Sequence, residues 1–345
     1  MSSKWIIHVV FMFQDARIDI DILKIKTLVL EDALDSALDH YMYGSMLSLP
    51  EDGYQSLQEM ALSTNQTKSP FFQLFKDYYN ESGSSYADSI ILSALSESPS
   101  DEFIGLTLPA KAVIIQRALQ TMILFPTALA SMFEAGETCS FLGWDRAAAF
   151  LIGSIEGDTW GGDSGNNGVT MYSLSKETCG FFNTCTDSDS ADINDDLFRS
   201  FSSGEDYISG ANCDDISSFV ENGVTPILLV PLIQGIVANS VESMKDESNA
   251  DRFVLARAIL PFVHNSNTTS ADTINTVTQL DNSDLNPMLL LDAFSGAIDQ
   301  MGVSCTDLGF SIELEKGFCL TEYDPNDASD LSNGLYITST NVDER

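Results

Sequence analysis

Apolar stretches of helical period recur along this chain and set its fold class before anything else does. In LEDALDSALDHYMYGSM (30–46), Leu30, Leu34, Leu38 and Tyr41 fall on one stripe. LPAKAVIIQRALQTMIL (108–124) opens with Pro109 in a first-turn position. WDRAAAFLIGSI (144–155) is Ala-rich. TPILLVPLIQGIVANSVESM (225–244) takes Thr225 as its cap, with Pro231 expected to kink or break it. NADRFVLARAILPFVH (249–264) and NPMLLLDAFSGAIDQMG (286–302) complete the set, the last closed by Gly302. Ser-, Asp-, Asn- and Gly-rich stretches separate these segments, so the expected fold is mainly α with long ordered loops.

The stretches also repeat in order. YMYGSM (41–46) matches FLIGSI (150–155), placing Gly44-Ser45 against Gly153-Ser154. LFKDYYNESGSSYAD (74–88) matches LFRSFSSGEDYIS (197–209), and an apolar helix follows in each half, 108–124 and 225–244. Matches in register imply duplicated helical units. The expected organisation is a first unit over 26–138, a second over 139–325 and a polar tail over 326–345. Residues 1–25 read either as a signal-like segment or as an N-terminal strand, since Ile18, Ile20 and Ile22 alternate with Asp19 and Asp21. No stretch reads as the roughly 18 consecutive apolar residues of a membrane span.

Charge excludes some partners. The chain carries 51 acids against 16 bases, a net charge of −35. Nucleic-acid binding needs a basic stripe, so nucleic acid is not an expected partner. Anionic membrane surfaces repel such a chain, and cations are drawn to it. Six cysteines, Cys139, Cys179, Cys185, Cys213, Cys305 and Cys319, all lie beyond residue 138 and imply three disulfides. Cys305–Cys319 and a link involving Cys179 or Cys185 are the expected pairs. Three sequons, at Asn65, Asn80 and Asn267, join them in pointing to a glycoprotein of the extracellular space, periplasmic space or cell surface.

The stretch GSIEGDTWGGDSGNNGVTMY (153–172) is the chain's least ordinary loop. It has no Lys beside its glycines, so it is no phosphate loop, and it lacks the terminal Glu of an EF-hand. What remains is an acid pair, Glu156 and Asp158, beyond the end of an apolar helix, a Gly-rich turn and a returning Tyr172. A helix C-terminus is partially negative, so acids placed there call for a cation. Glu156, Asp158 and Tyr172 form the candidate metal set; the alternative is a solvated glycine loop. The histidines His8, His40 and His264 are too scattered for a metal motif and read as packed or capping residues. Arg117, Arg146, Arg252 and Arg257 fall inside apolar helices, as structural ion pairs or as anion anchors. No nucleophile elbow, zinc-protease motif or Cys/His pair appears, so no enzymatic activity is expected.

Four blocks carry a resemblance: WDRAAAFLIGSIEG with YSLSKETCGFFNTC; VPLIQG (230–235); ARAILPFVH with ADTI; and MGVSCTDLGF with Cys319 after it. As an ordered set over about 140–320 they resemble the algal iron-assimilation family of high-CO2- and low-iron-inducible surface proteins, to which the diatom phytotransferrins are related. The resemblance implies a secreted or periplasmic protein that concentrates ferric iron at the cell surface and, as in the phytotransferrin branch, binds it with carbonate as synergistic anion. Fe3+ is a hard cation suited by carboxylate and phenolate oxygens. Arg146 is the candidate seat for the anion, about 15 Å along the helix from Glu156. One departure stands out: the family's basic segment before the cysteine is here Ser175-Lys176-Glu177-Thr178-Cys179. The competing expectation is an acidic structural or cell-wall glycoprotein, with a surface or wall partner, that binds no metal.

Overall fold

The protein's structure, a computed structural model, describes residues 15–44, 56–63, 69–79, 86–96, 100–155, 168–186, 190–241, 246–282, 286–311 and 313–319. Helices dominate it, and the two strands among the described residues, Phe310–Ser311 and Lys316–Gly317, form a small antiparallel pair. The mainly α expectation holds. The first five helices are α1 (Ile18–Leu30), α2 (Leu34–Tyr43), α3 (Leu57–Ser63), α4 (Pro70–Tyr79) and α5 (Tyr86–Leu95). A long helix α6 (Leu108–Thr138) follows, then α7 (Phe141–Ile152), α8 (Met171–Cys179) and α9 (Asp192–Ser209). A second long helix α10 (Cys213–Val241) precedes α11 (Asp246–Ser266), α12 (Thr268–Val277), α13 (Pro287–Ser295) and the short α14 (Cys305–Leu308).

The strand reading of residues 18–22 is overturned. Ile18, Ile22, Ile25 and Val29 are all fully buried, a spacing of four, three and four that belongs to a helix. The alternating pattern misleads because Asp19 and Asp21 are buried too, each with a partner: Asp19 binds backbone and side-chain groups of Ser154, and Asp21 meets His40 Nε2 at 2.9 Å. The helix also runs through the expected boundary at residue 25. Residues 1–14, where the signal-like run lies, are outside the described residues.

The long helices differ from expectation in the same way. Each contains a π-helical stretch, Ala118–Leu124 in α6 and Val220–Val224 in α10, with a proline two residues later, Pro126 and Pro226. Proline lacks the N–H that an α-helix needs and clashes with the preceding turn; a wider turn just before it relieves both. Thr225 is therefore no cap. It is buried mid-helix and its hydroxyl donates to Val220 O at 2.8 Å. Pro231 sits inside α10 without ending it. At the other end, α13 stops at Ser295, and Gly302 (φ +70°) closes the turns that follow.

By length and composition α6 and α10 are apolar enough to cross a membrane, contrary to the sequence reading. Their most apolar windows are 94 % and 78 % buried inside the protein, which is how core helices pass the same test. α11 is the hub: it packs most extensively on α6, α10 and α12, and Phe253–Ala256 and Ala258–Leu260 are all buried. Burying each large apolar side chain contributes about 1.5–3 kcal/mol. Helices from both proposed units share this one continuous core.

The two matched glycines end their helices alike. Gly44 ends α2 and Gly153 ends α7 with the same backbone, φ +59° and +79° with ψ near 180°. Leu74 and Leu197 both lie on helices, but Tyr86 opens a new helix whereas Tyr207 stays on α9. Ser45 is outside the described residues.

Disulfides staple the second half as expected. Cys305 pairs with Cys319, Cys179 with Cys185, and Cys139 with Cys213, leaving no free cysteine. Cys139–Cys213 joins the end of α6 to the start of α10 across 74 residues of sequence. In the chain-entropy description its loop is worth about 4 kcal/mol, against about 2 kcal/mol for the short Cys179–Cys185 loop. Urea unfolding of the two paired Cys→Ala variants should therefore show the larger loss for Cys139→Ala/Cys213→Ala; the reverse order would contradict this account.

Candidate functional site

The Gly-rich loop leaves α7 and returns to α8 through a tightly bonded stem. Asp19 Oδ2 accepts the backbone N–H of Ser154 and, at 2.9 Å, that of Ile155; Asp19 Oδ1 accepts the Ser154 hydroxyl at 2.8 Å. Gly153 makes this approach feasible. Its φ is +79°, and a Cβ there would lie 2.5 Å from Asp19 Oδ2. On the returning side, the Thr170 hydroxyl donates to Ile152 O at 3.0 Å, satisfying a carbonyl that the end of α7 leaves open. Thr170 and Ser173 form a reciprocal capping box at the start of α8.

The stem is wired to a buried charge cluster. Gln120, on the π-helical stretch of α6, donates its amide to Thr170 O and accepts from Arg117 Nη1 at 2.8 Å. Arg117 Nε and Nη2 reach the two oxygens of Asp251 at 2.8 and 3.0 Å, a bidentate fork. Nη2 also bonds Glu177 on α8. Burial alone would lower the Arg117 pKa, but Asp251 and Glu177 outweigh it and hold the guanidinium charged well above its ordinary value. Lys26 of α1 faces the same cluster; burial and Arg117 lower its pKa, against the pull of Glu177 and Asp251. Four helices, α1, α6, α8 and α11, meet at these charges.

The expected site residues fall in different places around this frame. Glu156 and Asp158 lie outside the described residues, directly after Ile155. Tyr172 is on the first turn of α8, half-buried, with its ring 5.9 Å from that of Phe198 and its carbonyl accepting from Asn194 Nδ2 at 3.1 Å. Arg146 is not an open anion anchor: its Nε donates to Asp15 Oδ2 at 3.3 Å. Arg257 is likewise engaged, with Asn275, Gln279 and Glu102, and stacks 4.7 Å from the Phe253 ring centroid. His264 packs its ring against Tyr78. Among the described residues no three His, Cys, Asp or Glu side chains converge as a metal group.

The sequons divide similarly. Asn65 and Asn80 lie outside the described residues. Asn267 caps α12, its Oδ1 accepting from Ser270 N at 3.1 Å and its Nδ2 donating to Gly296 O at 2.9 Å. A glycan on Nδ2 would replace one of its two N–H groups and leave the other for Gly296.

Sequence reasoning missed Asp19 and Gln120. The signal for Asp19 was present: two acids in an otherwise apolar helical run are costly unless each is paired. Asp19→Ala should cost about 2 kcal/mol, because backbone donors of the stem lose their acceptor, whereas Asp19→Asn keeps an acceptor and should cost much less. Burial raises the Asp19 carboxyl pKa above its usual 3.8, against the hydrogen bonds from Ser154 and Ile155. Between 3.8 and that raised value the folded state holds more protons than the unfolded one, so stability falls as pH rises through the window. Asp19→Asn cannot titrate and should show a shallower decline there; identical slopes would contradict the assignment.

No protein-family model matches this chain, and neither a curated protein nor a solved structure matches it.

Proposed function

We propose that this is an acidic, disulfide-stapled binding protein of the extracellular or periplasmic space that takes up ferric iron on its Gly-rich loop. The observation that carries the reading is the stem. Asp19 holds Ser154 and Ile155 at one end of the acid-bearing loop, and Thr170, which caps the helix carrying Tyr172, bonds Ile152 at the other, so the described ends of the loop share one stem. Two carboxylates and a phenolate are hard oxygen donors of the kind Fe3+ selects. Support also comes from the net charge of −35, from the full pairing of the cysteines that an oxidising compartment gives, and from the family resemblance. Carbonate as a companion anion would have to displace Asp15 from Arg146.

A second reading is a structural surface or wall glycoprotein that binds no metal, built on the same acidic, fully disulfide-paired frame. A titration with Fe3+, with and without bicarbonate, separates the two. The iron reading expects about one retained Fe3+ after desalting and a visible phenolate-to-iron band. Tyr172→Phe should lose that band and Glu156→Ala/Asp158→Ala should lose the iron. No retained iron in the unmodified protein would leave the structural reading.

A further inference from the structure

The packing of α4, α11 and α12 draws together three side chains that can ligate a metal. Phe71 and Phe75 of α4 pack on Phe262 of α11, with ring centroids 6.1 and 5.6 Å apart. Tyr78 follows Phe75 by one helical turn, and His264 follows Phe262 closely on α11. The same packing therefore sets the Tyr78 ring beside that of His264, centroids 5.2 Å apart. Tyr79 fixes the end of α4 there, its hydroxyl donating to Arg257 O. The chain reverses at Asn267, and α12 returns along α11, where Arg257 Nη1 donates to Asn275 Oδ1 at 2.8 Å. This return brings Asp272 towards Tyr78. Burial raises the Tyr78 phenol pKa; Arg257 lowers it and Asp272 raises it, so both charges act on this ring. His264 and Asp272 are exposed and Tyr78 is half-buried, so the cluster is open to solvent.

We infer that Tyr78, His264 and Asp272 form a site for a divalent transition-metal ion, with Cu2+ the best match. An imidazole nitrogen suits the borderline dications, and Cu2+ stands highest among them in affinity for nitrogen and oxygen donors. Asp272 and a deprotonated Tyr78 supply two negative oxygens that balance the charge of the ion. The phenol proton leaves to solvent as the metal binds, and the nearby Arg257 guanidinium favours that loss. The phenol completes the set, since His264 and Asp272 alone offer two ligands. No residue of the Gly-rich loop takes part, so the inference stands or falls separately from the iron reading.

The test is a titration of the full chain with Cu2+ in a large excess of Ca2+, a hard cation that occupies diffuse carboxylate sites without competing for imidazole. One Cu2+ per chain should bind saturably, with nitrogen splitting in its EPR spectrum and a phenolate-to-copper absorption band. His264→Ala should weaken binding at least about tenfold and remove the nitrogen splitting. Tyr78→Phe keeps the ring packed on His264; it should remove the band and weaken binding. Asp272→Asn should weaken binding about tenfold. All three side chains reach solvent, so these variants should keep the fold. Glu156→Ala/Asp158→Ala should bind Cu2+ as the unmodified protein does. Absence of a saturable copper site in Ca2+ would overturn the inference. So would unchanged affinity and spectrum in His264→Ala or in Tyr78→Phe. Loss of the copper in Glu156→Ala/Asp158→Ala would assign it to the Gly-rich loop and overturn the inference as well.

Discussion

The contact between Arg117 and Asp251 is the constraint on which the rest of the architecture depends. It joins the long helix α6 to the central helix α11, and through Glu177 and Gln120 it reaches α8 and the stem of the Gly-rich loop. Arg117 is the last α-helical residue before the π-helical stretch of α6, so the change in helical register and the charge cluster occur together. The fork fixes the rotation of α6 about its axis, which apolar packing alone specifies loosely. A helix α6 rotated out of register would bury Arg117 against apolar side chains and leave Asp251 unpaired.

Charge distribution follows from the same economy. Bases are few, and Arg117, Arg146, Arg252 and Arg257 are buried or largely so in helices near the core. The surface that remains is dominated by carboxylates. Such a surface repels itself and attracts cations, and three covalent links oppose the expansion that self-repulsion favours. The cysteines lie where long polar connections would otherwise leave the second half tied by packing alone.

Helices were legible because their apolar residues recur at three and four, as in α2, α6 and α11. What misled was local chemistry with a distant partner. Asp19 and Asp21 mimic a strand's alternation because their partners, Ser154 and His40, lie far along the chain. Thr225 and Pro226 read as a helix start because Thr followed by Pro commonly opens a helix; here a π-helical stretch lets the helix run on through them. Core helices such as α6 and α10 also carry enough apolar residues to resemble spans, and only their burial shows otherwise. Of the site, the loop, Tyr172 and the cysteines could be read from the sequence. The clasp that holds the loop could not, since Asp19 is 135 residues from Ser154.

The most direct test of this account is a double-mutant cycle across the central fork, measured by urea unfolding of Arg117→Met, Asp251→Leu and the pair together. Arg117→Met leaves Asp251 buried without its guanidinium and should cost about 3–5 kcal/mol, whereas Asp251→Leu leaves Arg117 its bond to Glu177 and should cost less, about 2–4 kcal/mol. The double variant, with neither charge, should lose clearly less than the sum of the two, with a coupling of about 2 kcal/mol or more. Additive losses, or single losses under about 1 kcal/mol like those of an exposed ion pair, would contradict the claim that this contact organises the fold.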